Sequence, residues 1–417
     1  MTETAPRIVE LRYEDEALAR LDLPGGRMEV LRGVGSGLCV DAEGRIWGVG
    51  DRGPNLKVGL AVERYGLTAL AQHSGLDGAK VMPCPEIGPA LSELAVKGDR
   101  VVIVRLFPIR DRDGRPLSGF PTPGGEHSVA EPAITLDGEA IPPDPSGADS
   151  EGIAPAGDGG FWVGDEYGPS LLRIAADGEV IARWVPEGCE PLFAEARYPV
   201  LGVLPAIAAR RRLNRGFEAI AASPDGRSLL LAFQSPLSHP NEEAHRRGRH
   251  VRLWRLDAET GAVEAEWLYP LDAPDAFRRD AALGPVERSD VKVSELAVIG
   301  PDRLLVLERA SATTKLYAVE LSADRANDPA HLDPATRPSV EELSAGDAFA
   351  LPVLEKRLVL DGDAAPELGP DLEGIALLPD GSVLIVNDND FGVEGVRTRF
   401  WRVEGLSLAQ DRPAEGG

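Results

Sequence analysis

Acidic side chains recur in this chain at the two ends of one repeated phrase. Its clearest copy runs from Asp149 through Ser150, Glu151, Gly152 and Ile153 to Phe161, Trp162, Val163, Gly164, Asp165 and Glu166. A near twin runs from Asp371 through Leu372, Glu373, Gly374 and Ile375 to Asp388. Further copies span Gly216 to Gln234 and Ser294 to Glu308, and a weaker one spans Ser36 to Asp51. In every copy the polar bookends lie 13 to 16 residues apart. Carboxylates gathered in this number cannot all stay ionised without protons or cations. An oxygen-only donor set suits a hard cation, and calcium before zinc or copper. The expected metal ligands are Asp51, Glu151, Asp165, Glu218, Glu295, Glu308, Glu373 and Asp388, with Gln234 and Asp390 in the same ring. Glu166 is the candidate general base. For any one of these acids, capping a strand end or pairing with Arg52, Arg309 or Lys315 is an equal alternative.

The elements that must position these acids follow from the same phrase. Each copy has two short runs of Ile, Val, Leu, Phe or Trp around a turn that usually carries Asp-Gly or Glu-Gly, which is a hairpin signature. A hairpin returns the chain to the end it left, so the two bookends meet. More strands follow, as in Ser170 to Trp184 with a second turn at Asp177-Gly178. Four strands per unit is the blade of a β-propeller, which brings each innermost hairpin to a common channel. The expected fold is therefore all-β, a single β-propeller domain over residues 1–417. Its blades number six, with seven as the alternative, and each has four antiparallel strands. The long gap between the first two copies leaves room for one degenerate blade, to which Val101 to Pro108 would contribute a strand. The expected core includes Ile153, Phe161, Trp162, Val163, Ile220, Leu231, Val306, Ile375 and Val386. Residues 116–123, 142–146 and 327–338, rich in Pro and Asp, read as surface loops.

Composition narrows the function. The chain of 417 residues has 44 Lys and Arg against 68 Asp and Glu, a net charge of −24. That charge repels nucleic acid backbones and anionic lipid surfaces at long range, so nucleic acid is a poor candidate partner and a small-molecule substrate, phosphorylated or not, is expected. Cys39, Cys84 and Cys189 form no CxxC pair and no zinc spacing, so they read as buried reduced thiols. The histidines, including His127, His239, His245 and His250, sit in polar stretches and read as solvated. No run of about 18 apolar residues marks a membrane span. The first residues from Met1 do not read as a signal peptide, which implies the cytoplasm if Met1 is native and a periplasmic or secreted protein if a leader has been removed. Neither Asp111 to Gly114 nor Asp388 to Gly392 completes a calcium loop.

Several of these phrases are similar to the phytase-like family, also described by an esterase-like activity of phytase. They are Asp149 to Ala154 with Phe161 to Pro169, Gly216 to Ala221, Leu305 to Arg309, and Leu372 to Ala376 with Asn387 to Gly392. The resemblance runs in order from about Gly33 to Val403. The chain departs from the pattern at Ala310-Ser311-Ala312, where an acidic or aromatic continuation is expected. The resemblance implies a phosphoesterase, here a calcium-dependent hydrolase of phosphate esters. Arg52 and Arg309 are the expected phosphate-holding catalytic residues, with Arg173, Lys292 and Lys315 as further candidates. A lactonase or carboxylesterase on the same site, or a non-catalytic metal- or ligand-binding propeller, are the alternatives.

Overall fold

The computed structural model of the protein describes residues 5–126, 129–346 and 349–409; His127 and Met1, named above, lie outside the described residues. The chain is built from mostly antiparallel sheets with a few short helices. Five sheets have the size of a blade. Sheet I contains Gly37–Val40, Ile46–Val49, Ala90–Lys97 and Arg100–Pro108. Sheet II contains Ser150–Pro155, Phe161–Asp165, Ser170–Ile174 and Val180–Pro186, with Val200–Leu204 added in parallel. Sheet III contains Phe217–Ala222, Ser228–Phe233, His250–Asp257 and Val263–Pro270. Sheet IV contains Lys292–Gly300, Arg303–Arg309, Thr314–Glu320 and Lys356–Asp361. Sheet V contains Leu372–Leu377, Val383–Asn387 and Phe400–Glu404, and its outer edge is Arg7–Leu11 from the start of the chain.

The five copies of the repeated phrase are the first two strands of these five sheets. The five first strands touch one another in a cycle, I to II to III to IV to V and back to I. Their approach is close enough to require glycine. A Cβ on Gly37 would stand 2.4 Å from the Glu151 carbonyl oxygen, and one on Gly152 would stand 2.0 Å from that of Glu218. At one end of this ring, apolar residues of all five first strands, among them Leu38, Ile153, Ile220, Leu296 and Ile375, line a cavity of about 110 Å³. All nine residues expected in the core are buried.

The strand expected in a degenerate blade, Val101 to Pro108, is instead the outer edge of sheet I. The gap is filled by insertions: residues 50–89 separate the second and third strands of sheet I, and residues 109–149 lead to sheet II. These insertions form a small sheet of two-residue strands, Leu56–Lys57, Lys80–Val81, Ala133–Ile134 and Ala140–Ile141. Residues 116–123 are not all at the surface, because Leu117 and Thr122 are buried. The histidines read as solvated also differ: His239, His245 and His250 are buried. Cys39 and Cys84 are buried free thiols, and Cys189 is half-buried and free. Among the described residues no helix is long and apolar enough to cross a membrane.

Candidate metal centre

The acids converge because the first strands are irregular at one place. The ladder of each of sheets II to V shifts register at its start: at Glu151-Gly152, at Glu218, at Ser294 and at Glu373. A bulge adds one residue on one strand, breaks the ladder and re-aims a side chain. In sheets II, III and V the re-aimed residue is the glutamate of the phrase. Glu151, Glu218 and Glu373 accordingly line one cavity of about 480 Å³, together with Asp51, Glu166, Gln234, Asp388 and Asp390. The backbone around this cavity is also strained. Asn214, Asp371 and Asp390, which line it, and Phe391 beside it, all have positive φ without being glycine. Such conformations cost free energy and gather at functional sites.

At one wall, a carboxylate oxygen from each of Asp51, Asp149 and Glu151 lies within 4.8 Å of the others. All three are buried, and Oδ1 of Asp149 has no partner. Arg52 faces this group from a buried position. It pairs with Asp149 at 2.7 Å, Glu131 at 2.5 Å and Asp51 at 3.3 Å, donates to Asn214 Oδ1 at 2.9 Å, and stacks over the Tyr167 ring. Burial opposes its charge, but Asp149, Tyr167, Glu131 and Asp51 outweigh it and hold the guanidinium firmly protonated. One arginine cannot balance the surrounding acids. Burial, and then Asp51 and Asp149, push Glu151 far above the usual carboxylate range. Burial also raises Asp149, against the pull of Arg52 and with the push of Asp51. Asp388 is raised by burial and by Asp390. Glu166 is pushed up to about 7 by burial and Glu218, and its Oε1 has no partner. Asp390 is pushed up to about 6 by burial and Asp51. An all-oxygen donor set that is buried, short of protons from its neighbours and partly without hydrogen bonds fits a hard cation.

Three expected ligands lie elsewhere. Asp165 is fully buried one layer behind, where its Oδ1 accepts the Asp149 amide at 2.8 Å and its Oδ2 accepts Ser170 Oγ at 2.6 Å, with Arg183 at 3.4 Å. Glu295 follows the bulge of sheet IV by one residue, so its side chain does not reach the cavity. Its carboxylate instead accepts the Leu38 amide of sheet I at 3.0 Å. Glu308 turns to the outer side, where Tyr269 Oη and Lys356 Nζ donate to it, each at 2.6 Å. Among the expected cations, Arg309 reaches the cavity but is engaged by Glu373, by Asp371 at 3.2 Å and by Ser294 Oγ at 2.9 Å. Arg173 pairs with Asp158, and Lys315 pairs with Asp272 at 2.8 Å, both away from the cavity. Lys292 lines it.

Sequence reasoning passed over Asp149 as a ligand, although it opens the clearest copy of the phrase. Glu131, Tyr167, Asn214 and Arg215 were also missed. Asp149 and Tyr167 flank the clearest copy of the phrase, and Asn214 and Arg215 directly precede the copy that starts at Gly216; only Glu131 comes from an insertion.

The family described as phytase-like, with the esterase-like activity of phytase, matches residues 31–391. The chain belongs to this family. A relative of this phytase-like chain, an uncharacterized secreted protein of Arthroderma benhamiae, is 24% identical over 319 residues, which cover 68% of this chain and 60% of the relative. The match thus spans less than two thirds of that relative's length. Among solved structures, the Malassezia sympodialis allergen Mala s 1 is 10% identical with a TM-score of 0.39, covering 98% of this chain and 99% of its own. The PQQ-bound aldose sugar dehydrogenase of Streptomyces coelicolor is 11% identical with a TM-score of 0.36, covering 96% and 99%.

Proposed function

We propose that the five sheets are the blades of one closed propeller domain, and that its acidic cavity is the active site of a calcium-dependent hydrolase of phosphate esters. The observation that carries this reading is the buried trio Asp51, Asp149 and Glu151, in which Arg52 reaches only Oδ2 of Asp149 and Oδ1 has no partner. Leaving a buried carboxylate oxygen unpartnered beside two further acids is costly, and a hard cation removes that cost. When bound, calcium supplies positive charge for the phosphate oxygens and acidity for a water. The chain's own residues do the rest. Arg52, held by Glu131 and Tyr167, orients Asp51 and Asp149. Glu166 takes the proton of the attacking water on its unpartnered Oε1, for which a carboxyl near neutral pH is suited. Membership of the phytase-like family supports the ester substrate. The name of the Arthroderma relative supports export from the cytoplasm, which cell fractionation checks.

Calorimetric titration of calcium into chelator-stripped protein, beside an assay of phosphate monoesters, phytate, aryl esters and lactones with and without calcium, tests the reading. Calcium-dependent phosphate release that fails in Glu151→Gln is the expected result. Opening of lactones or aryl esters alone would move the assignment to the lactonase or carboxylesterase class. Calcium binding without turnover of any substrate would make the protein a binding module.

A further inference from the structure

Two cations that line the cavity make no ion pair. Lys292 is the first residue of sheet IV and lines the cavity. Among the described residues its amine makes no hydrogen bond or ion pair. Arg215 lines the cavity too, and its one hydrogen bond is to the carbonyl of the adjacent Asn214, at 2.9 Å. The neighbouring cations differ, because Arg52 is engaged by Asp149 and Glu131, and Arg309 by Glu373 and Asp371. Arg309 stands directly opposite Lys292 in the sheet register. Burial, then Arg309 and Arg215, bring the Lys292 amine down to about 7, while Glu218 and Glu166 act the other way. Of those two acids, Glu218 is already bonded to the Gln234 amide. Three cationic heads converge here, and two of them, Lys292 and Arg215, feel Glu166 or Glu218 but make no ion pair with either. A buried or half-buried cation without a partner is unfavourable, and an anion placed between two such cations forms charge-assisted hydrogen bonds with both.

We propose that Arg215 and Lys292 form an anion subsite that holds a phosphate or carboxylate group of the substrate, separate from the cation site on the acidic wall. This rests on the hydrolase reading for its role in the reaction, but the subsite itself can be measured without turnover. The assignment also explains how a chain of net charge −24 admits an anionic ligand: two of the cations lining its acidic cavity are not taken up by ion pairs. An anion held at Arg215 and Lys292 leaves the rest of the substrate directed toward Asp51, Asp149 and Glu151. The subsite therefore selects small anionic esters over neutral ones.

The test is calorimetric titration of the full-length, metal-free protein at pH 7 and fixed ionic strength with three probes: inorganic phosphate, sulfate and malonate. Saturable binding at one site is expected. Lys292→Met and Arg215→Gln should each weaken it about tenfold or more, the loss expected for one charge-assisted contact, while Lys292→Arg stays within about threefold of the parent. Lys97→Met, on an exposed strand end, should leave binding unchanged. The comparison of Lys292→Arg with Lys292→Met separates lost charge from a disturbed fold, and Arg215→Gln gives a second reading from another element. Tighter binding of phosphate and sulfate than of malonate assigns the subsite to a phosphoryl group, and the reverse order to a carboxylate. Absence of saturable binding, or equal binding by the parent, Lys292→Met and Arg215→Gln, would overturn the proposal. Calcium binding is read on the same samples. Loss of anion binding in Lys292→Met with calcium binding intact supports the subsite, whereas a parent that binds anions but no calcium defeats the hydrolase reading and leaves the subsite standing.

Discussion

Asp149 is fully enclosed, with Arg52 on one side and Asp51 and Glu151 on the other, so its charge depends on what else enters the cavity. Burial and mutual repulsion favour the protonated forms of Asp149 and Glu151 in the cation-free protein. A calcium ion needs them ionised. Calcium binding is therefore expected to release protons near pH 7 and to weaken as pH falls, because each bound proton competes with the cation. Calorimetry in two buffers of different ionisation enthalpy reads this directly, and identical heats in both would contradict it. Asp149→Asn should weaken calcium about tenfold or more while leaving Arg52 paired to Glu131 and Asp51. Asp165 acts one layer behind by fixing the Asp149 amide, and it is the ion-pair partner of the buried Arg183. Asp165→Asn should therefore cost roughly 3 kcal/mol of stability, from the stranded guanidinium, and also weaken calcium by shifting Asp149. Denaturant unfolding and calcium titration of the same variant separate the two effects.

The hairpin is the element that gathers the site, and the bulge at its start is what aims it. Because side chains alternate along a strand, one residue of offset moves a glutamate from one side to the other. Glu373, at the bulge of sheet V, faces the cavity; Glu295, one residue past the bulge of sheet IV, does not. The outer strands and insertions carry stability rather than chemistry. His250, which starts the third strand of sheet III, is buried, stacks on Phe349 at 4.2 Å and contacts Ser344 Oγ at 2.9 Å through Nδ1. Burial, helped by Arg249 and Arg288, lowers it from 6.5 to about 4. The unfolded chain therefore binds a proton between about pH 6.5 and 4 that the folded chain does not, so stability falls as pH falls through that window. At pH 5 the penalty is on the order of 2 kcal/mol, and His250→Gln should flatten that part of the pH profile. A melting temperature whose drop between pH 7 and pH 5 is the same in parent and variant would contradict the assignment.

On the scale of the whole molecule, the two ends of the chain meet in one sheet. Arg7–Leu11 pairs with Phe400–Glu404 over five residue pairs, so the first strand of the chain completes the last sheet. Closure of this kind covers an edge that would otherwise stay open for pairing with another chain. Deleting residues 1–12 removes the strand, exposes the edge of Phe400–Glu404 and uncovers Phe400 and Trp401, which are fully buried. A fall in melting temperature of roughly 5 °C or more, with association visible by light scattering, is the expected outcome. A deletion that melts like the parent and stays monodisperse would show that closure at this edge contributes little.

The amino-acid sequence by itself determined the repeated hairpin, because its turn glycines and its apolar runs act over fewer than about 20 residues. It thereby determined the five first-strand pairs, the buried core from Ile153 to Val386, and the convergence of Asp51, Glu151, Glu218, Glu373 and Asp388 on one cavity. The tertiary structure decided what depends on contacts between distant segments. Residues 50–89 and 109–149, whose length alone looks the same as a blade, form only a small sheet of two-residue strands. The bulges decided which glutamates face the cavity, and a one-residue offset leaves no trace in a pattern of acidic and apolar residues. Arg52 was legible as a cation beside the repeat, but its enclosure by Glu131, Asp149 and Asn214 was not, since these partners lie 79, 97 and 162 positions away. Charge balance in a buried site is a property of neighbours in space, and only the folded chain brings those neighbours together.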